Sequence, residues 1–334
     1  MKKLSMLVVH ICLLSMVGFS LQGCSTEEEA KLKETGSCQG CDLSGVDLEE
    51  ANLEGADLEG ANLEGADLRK ANLEGANLSG AKLIGARLFE ADLRGVNLVG
   101  ADLEGSDLRK ANLNGENLGG ANLEGANLSG ANLSGVHQLN KVNLEGVNLK
   151  GAILDGVNLS GVNLEGVNLS GANLSGANLK EANLIEANLE NAILFSSDLT
   201  GVTINNERLD SALLCNTKLP DGKTSKCNLT KANLEGANLE GANLKEANLS
   251  GANLEGADLR KANLEGANLY KADLKGANLE GANLERAYLE RAYLNGANLN
   301  GANLETAKMK NAKMKGAILC NTTMPDGSIL YSGC

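Results

Sequence analysis

From Leu43 almost to the end of the chain, a leucine or an apolar stand-in recurs at every fifth position. The frame runs unbroken from Leu43 to Leu133 and slips by one residue across Val136–Lys141. It then runs from Leu144 to Leu219, passes a degenerate unit at Gly222–Lys226, and resumes from Leu229 to Met324. This amounts to about 55 units of the form Ala-(Asn/Asp)-Leu-x-Gly, and such self-similarity dominates every other signal. Five is not a helical period: at 3.6 residues per turn each leucine would be rotated roughly 140° from the last, smearing the apolar side chains around the cylinder. Within a unit, Ala and Leu flank an Asn or Asp, which is the in-out-in alternation of a strand. The remaining two residues make a corner, where Gly accepts backbone angles that Leu could not. Short extended sides joined by tight corners wind into an all-β solenoid lined by Leu with Ala beside it.

Composition agrees with a rod rather than a compact domain. There is no Trp, with three Phe, four Tyr and 41 Gly, so no aromatic-rich core can form. The net charge of −13 does not signal disorder, because 43% of the residues are apolar and strictly periodic. An acidic balance disfavours nucleic acid and anionic lipid surfaces as general partners.

Units such as Ala51-Asn52-Leu53-Glu54-Gly55 and Ala61-Asn62-Leu63-Glu64-Gly65 resemble the pentapeptide-repeat family, and the resemblance covers residues 41–326. It implies a right-handed quadrilateral β-helix with four units per coil. The span then holds about fourteen coils, a rod on the order of 65–70 Å long at ~4.8 Å per coil. Stacked Asn side chains are expected to form amide ladders along the outside. The two ends expose Leu and backbone edges, so solenoids need caps.

Residues 1–23 are a separate object. Lys2 and Lys3 precede an apolar stretch from Leu4 to Phe19 and the ending Leu21-Gln22-Gly23-Cys24. This has the layout of a secretory signal, and its ending resembles the lipobox of bacterial lipoproteins. The resemblance implies cleavage, lipidation of Cys24, and an exported protein held to the cell envelope by that lipid (the outer membrane if the host is diderm). An uncleaved membrane anchor is the alternative, but the stretch is barely long enough to span and contains His10. Residues 24–40 are then a lipidated, acidic tether. Loss of Lys2 and Lys3 takes the net charge from −13 to about −15.

Apart from Cys12 and Cys24, six cysteines remain, in three local pairs: Cys38 with Cys41, Cys215 with Cys227, and Cys320 with Cys334. Proximity alone suggests these disulfides, since six cysteines allow fifteen connectivities. A redox role for Cys38-Gln39-Gly40-Cys41 lacks the strand-to-helix setting such motifs use, so a structural staple is the better reading. The string Cys215-Asn216-Thr217-Lys218-Leu219-Pro220-Asp221-Gly222 returns as Cys320-Asn321-Thr322-Thr323-Met324-Pro325-Asp326-Gly327. Pro-Asp-Gly is a strong turn signal, and the string resembles the terminal motif of many pentapeptide-repeat domains. It divides the chain into two modules, residues 41–222 and 223–334. These either stack as one rod or hinge near Gly222–Lys226, and the unbroken frame at Leu229 favours stacking.

No catalytic constellation can be assembled. His137, the one histidine beyond the signal, lies in the six-residue irregular unit and reads as part of a bulged corner. The acids recur with the repeat as solvated outer positions, and a Leu-filled solenoid leaves no pocket for a tuned pair. Neither an enzyme, a cofactor nor a metal site is expected. Departures from the repeat are more useful. Aligning residues twenty apart stacks Tyr288 on Lys308 and Tyr293 on Lys313, with Arg286, Arg291, Lys310 and Lys315 nearby, a candidate contact surface. Phe89 falls between Arg69/Lys70 and Arg109/Lys110, and Ile84, Ile185 and Phe195 take the usually polar corner position. The reading favoured is a rigid scaffold or interaction rod with an unidentified protein partner. The alternative, also implied by the family, is an acidic DNA-mimicking protein that binds and protects DNA gyrase, which a signal peptide argues against.

Overall fold

A computed structural model of the chain describes residues 27–332. The signal segment, Cys24 and Cys334 lie outside the described residues. Successive units form the sides of a four-sided coil: parallel bridges join each outward residue to the one twenty positions on, as in Asn52↔Asn72 and Asn72↔Asp92. The Ala and Leu flanking each bridge point inward, so Leu58, Ala61, Leu63 and Ala66 are completely buried. A turn closes each corner, with Ala56 N–H donating to the Leu53 carbonyl at 3.0 Å around Gly55 at φ 65°. A positive φ at the third residue of a turn suits Gly, yet nineteen non-glycine residues, Lys70 and Glu246 among them, take the same conformation. Glycine is therefore the favoured corner residue, not an obligatory one.

Outside the coil the asparagines do two jobs. Asn72 Oδ1 accepts the Glu74 N–H at 3.1 Å, while its Nδ2 donates to Asn52 Oδ1 at 3.0 Å one coil back. The first bond stiffens the corner and the second runs along the rod as the expected ladder. At residues 136–141 the extra residue is absorbed by a 3-10 turn, Leu139–Lys141, with Gln138 at φ 59°. Bridges then lengthen to Asn122↔Asn143 and Asn127↔Asn148 before the spacing of twenty returns at Asn148↔Asn168. The slip stays within one corner because only the outward loop has to bulge, while Leu139 keeps its place inside.

The stretch read as a tether is not loose. Helix α1 (Glu27–Thr35) lies across the first coil and buries Leu32 to 1% exposure in the same apolar cluster as Leu43 and Leu48. The first coil would otherwise expose its leucines, and one helical leucine covers them.

The expectation of one continuous rod is corrected. A first solenoid ends on a coil in which helix α2 (Asn206–Leu209) replaces a side, and Leu213 and Lys218 still bridge back to Ile193 and Asp198. The chain then turns back in a hairpin, Lys218↔Thr224 antiparallel, and Asn228 bridges only forward to Asn248. The second solenoid has its own core, from Leu229 to Leu304, and that core includes Ile193, Phe195 and Cys215 of the first. These three lie on the outside of the first solenoid. The open first coil of the second solenoid thus sits against the side of the first, and Asn173 Nδ2 donates to the Asn238 carbonyl at 2.9 Å across the junction. Instead of one rod there are two, of about nine and about five coils, roughly 43 Å and 24 Å long at ~4.8 Å per coil, meeting side to end. The second ends in an antiparallel pair, β1 (Leu319–Thr323) and β2 (Ile329–Ser332).

Candidate interaction site

The outward column Asn132, Ile153, Asn173, Ile193, Leu213 runs along the first solenoid under the junction. Three of these positions hold an aliphatic residue where the repeat normally has Asn or Asp. Phe195, on the adjacent corner, is 1% exposed. The phenyl ring is therefore spent on holding the two solenoids together and is not free for another protein. Ile84 and Ile185, the other apolar corners, are half-buried in the rod surface. Sequence reasoning passed over Ile153, Ile193 and Leu213; their outward place in the five-residue frame was the available signal. A cleft of about 560 Å³ opens beside the junction, edged by Ser134, Asp155, Ser175 and Asn243.

Cysteines lie at the ends. Cys38–Cys41 is a disulfide against α1, with Cα atoms 5.4 Å apart, and Cys215–Cys227 joins the last coil of the first solenoid to the start of the second. Cys320 is also disulfide-bonded.

The Phe89 cluster forms as a cation-π pair of contacts, Arg109 Cζ at 5.4 Å and Lys110 Nζ at 5.3 Å from the ring centre. Arg69 instead turns to Asp67 and Glu49, at 2.7 and 2.6 Å. Asp47, Glu49 and Asp67 bring their carboxylates within 4.8 Å of one another. The guanidinium of Arg69, with Arg87 at 2.8 Å from Asp67, holds the Asp67 carboxyl below its ordinary range, so this group is an ion-pair network and not a vacant metal cage.

Around His137 a second departure appears. Glu116 occupies an inward position that is Ala in most units and is 5% exposed. Burial raises its carboxyl above the ordinary range, opposed by a hydrogen bond from the Gly95 N–H and by nearby His137.

At the far end, the sequence-derived patch is partly assembled. Tyr288 and Tyr293 stand on adjacent sides of one coil, 42% and 43% exposed, and bridge to Lys308 and Lys313 of the next. Lys308 Nζ lies 4.4 Å above the Tyr288 ring. The cation over Tyr293 is Lys275 from the preceding coil, at 5.4 Å, not Lys313. Arg286 is drawn away into an ion pair with Glu265. Lys310, Lys313 and Lys315 of the last coil, and Arg291 one coil before them, form no ion pair among the described residues, which leaves a basic rim. No helix among the described residues is long and apolar enough to cross a membrane.

Eight consecutive blocks between residues 37 and 324 match the sequence profile of pentapeptide repeats. No curated relative matches the chain significantly. Among solved structures it is similar to HetL, a pentapeptide repeat protein involved in heterocyst differentiation regulation from the cyanobacterium Nostoc sp. strain PCC 7120. That match has 29% identity, covers 92% of this chain and 100% of HetL, and has a TM-score of 0.18. Rfr23 from the cyanobacterium Cyanothece 51142 is 35% identical over 37% of this chain and 91% of its own, with a TM-score of 0.19. Full-length QnrB1, a plasmid-mediated fluoroquinolone resistance protein, is 18% identical over 55% of this chain and 94% of its own, with a TM-score of 0.34. None of these superpositions speaks to the overall shape, and family membership rests on the repeat match.

Proposed function

The chain belongs to the pentapeptide-repeat family, and from that premise we propose an envelope-anchored, non-enzymatic scaffold whose far end receives a protein partner. Its coils would wind right-handed, as in the quadrilateral β-helix of that family. The observation that carries the reading is the contrast between its ends. The α1 end is sealed, with Leu32 buried, and only Ser25 and Thr26 separate it from Cys24. The other end is open and carries exposed Tyr288, Tyr293 and Tyr331 beside unpaired lysines. A lipid on Cys24 would hold the sealed end at the membrane and leave the furnished end free.

Metabolic labelling with palmitate and cell fractionation test the anchor. Labelled, membrane-bound protein that becomes unlabelled on Cys24→Ala is the expected result; a soluble cytosolic wild type would sink the anchor and revive the gyrase alternative. The acidic stretch with Asp42, Asp47, Glu49, Glu50 and Glu54 favours that second reading. The side-to-end junction and the basic rim weigh against it, because mimicry of a duplex calls for one continuous acidic rod.

A further inference from the structure

Large exposed apolar side chains gather at one place. Among the described residues, Tyr288, Tyr293, Ile318, Ile329 and Tyr331 all belong to the last coils and the terminal hairpin, with Val99 the exception elsewhere. Beneath them the inward positions Met309, Met314, Leu319 and Met324 are only partly buried, whereas every leucine from Leu244 to Leu304 is fully covered.

The backbone is open there too. Along the solenoid each coil donates to the next, as Leu269 N–H does to the Tyr288 carbonyl at 2.8 Å and Leu289 N–H to Lys308 at 2.7 Å. Strand β2 covers the Leu319–Thr323 part of the last coil. On the remaining two sides, the N–H groups of Met309, Asn311, Met314 and Gly316 have no backbone acceptor among the described residues. Such an edge is a template for an added strand.

Charge says what kind of strand fits. Several basic residues inside this molecule are answered by an acid one coil away: Arg69 with Glu49 at 2.6 Å, Lys70 with Glu50 at 3.0 Å, Arg94 with Glu74 at 2.7 Å, Lys110 with Glu90 at 3.1 Å. Arg260 with Glu240 and Lys245 with Glu265 repeat the pattern in the second solenoid, at 2.8 and 2.9 Å. In all of these but Lys245 with Glu265 the acid lies in the preceding coil. At that place the terminal lysines meet Tyr288, Glu290, Tyr293 and Asn295, and no ion pair from Lys308, Lys310, Lys313 or Lys315 forms among the described residues.

We infer that this open edge binds an acidic, extended polypeptide segment from another protein, which adds its backbone to Met309–Gly316 and sets carboxylates over the four lysines. A second copy does not fit. Tip against tip puts lysine on lysine, and the acidic first coil of another copy is already covered by α1. The inference rests on the interaction-rod reading but not on the lipid anchor, so failure of Cys24 labelling and failure at this edge are separate results.

The test uses the purified protein and a labelled peptide of its own acidic repeat, residues 51–68, alongside the same peptide with every Glu and Asp amidated. Fluorescence anisotropy should show binding that weakens with salt and drops by about tenfold or more with the neutral peptide and with Lys310→Glu/Lys315→Glu. Hydrogen exchange should slow at residues 307–316, which a purely electrostatic contact would not produce. No peptide binding, binding without that protection, or binding only to phosphatidylglycerol vesicles would overturn the proposal.

Discussion

Both solenoids end on the same hairpin, and the two copies are built alike. Thr217 Oγ1 donates to the Leu194 carbonyl at 2.5 Å, and Thr322 Oγ1 to Leu299 at 2.7 Å, each hydroxyl fully buried. Asn216 and Asn321 share a φ of 54°. The surroundings differ. In the first copy, Ile193 and Phe195 flank the hairpin and the second solenoid covers them; in the second copy the matching positions are Asn298 and Asn300, and Ile318 is left 40% exposed. The hairpin therefore terminates a coil stack in both places, and the neighbouring outward side chains decide whether the stack's end is covered or left open. Apolar ones recruit another solenoid, whereas the second copy offers a rim of lysines.

Breaking the apolar side should have the largest effect. Phe195→Ala removes a buried ring and is expected to cost about 3–5 kcal/mol, mostly at the junction. Denaturant unfolding should then resolve two transitions, while Asn300→Ala leaves the curve within about 0.5 kcal/mol of wild type. If Phe195→Ala unfolds as one unit with unchanged midpoint, the junction contributes nothing. Next comes the staple. Cys215→Ser/Cys227→Ser opens a short loop at the same junction and should cost roughly 2–3 kcal/mol, seen as a lower midpoint that reductant no longer changes in that region. Thr217→Val and Thr322→Val each remove one buried hydrogen bond while the Leu194 and Leu299 carbonyls keep donors from Ser197 and Ala302, so each should cost about 0.5–1.5 kcal/mol. A large inequality measured by thermal unfolding would mean the two hairpins are not equivalent.

The smallest effect is a slope. Glu116 belongs to the first solenoid, and in the second the fully buried inward positions away from the end are all Ala or Leu. Its folded carboxyl is raised by burial, so its favourable contribution is complete below the ordinary value of 4.5 and is lost as pH rises through the folded value. Glu116→Ala should thus stabilise the first solenoid most near neutral pH and progressively less as the solution is acidified. Asp198 works the other way. The Thr200 hydroxyl, with the Thr200 N–H, Lys218 and Lys180 adding to it, lowers its carboxyl, giving stability that holds above 3.8 and fades on acidification through the folded value. Stability curves for wild type and the two variants, Glu116→Ala and Asp198→Asn, would separate the contributions.

The twenty-residue coil, its inward Leu and Ala and its Asn ladders were legible because the repeat writes the same local geometry many times over. The one-residue slip at 136–141 was legible for the same reason. The junction was not. A five-residue frame counts positions along the chain, so Leu229 in frame says nothing about which surface the next coil meets. The signal lay in Ile153, Ile193 and Leu213, each ordinary alone and telling only when placed in one outward column. Helix α1 was missed because Glu27–Thr35 offers a single buried leucine and no apolar period. The Tyr293 contact shows a similar limit: spacing gave the coil neighbours, but the lysine that reaches the ring comes from the other side.

Because the second solenoid begins a stack of its own, its unit count works like an angular setting. Four units complete a coil, as the Asn228↔Asn248 and Asn248↔Asn268 bridges show. Deleting four would draw the lysine rim inward by ~4.8 Å without turning it. Deleting one would swing the rim a quarter turn about the axis, toward a different neighbour. The junction fixes where that axis points, so length and heading of the free end can vary independently, through simple gain or loss of five-residue units.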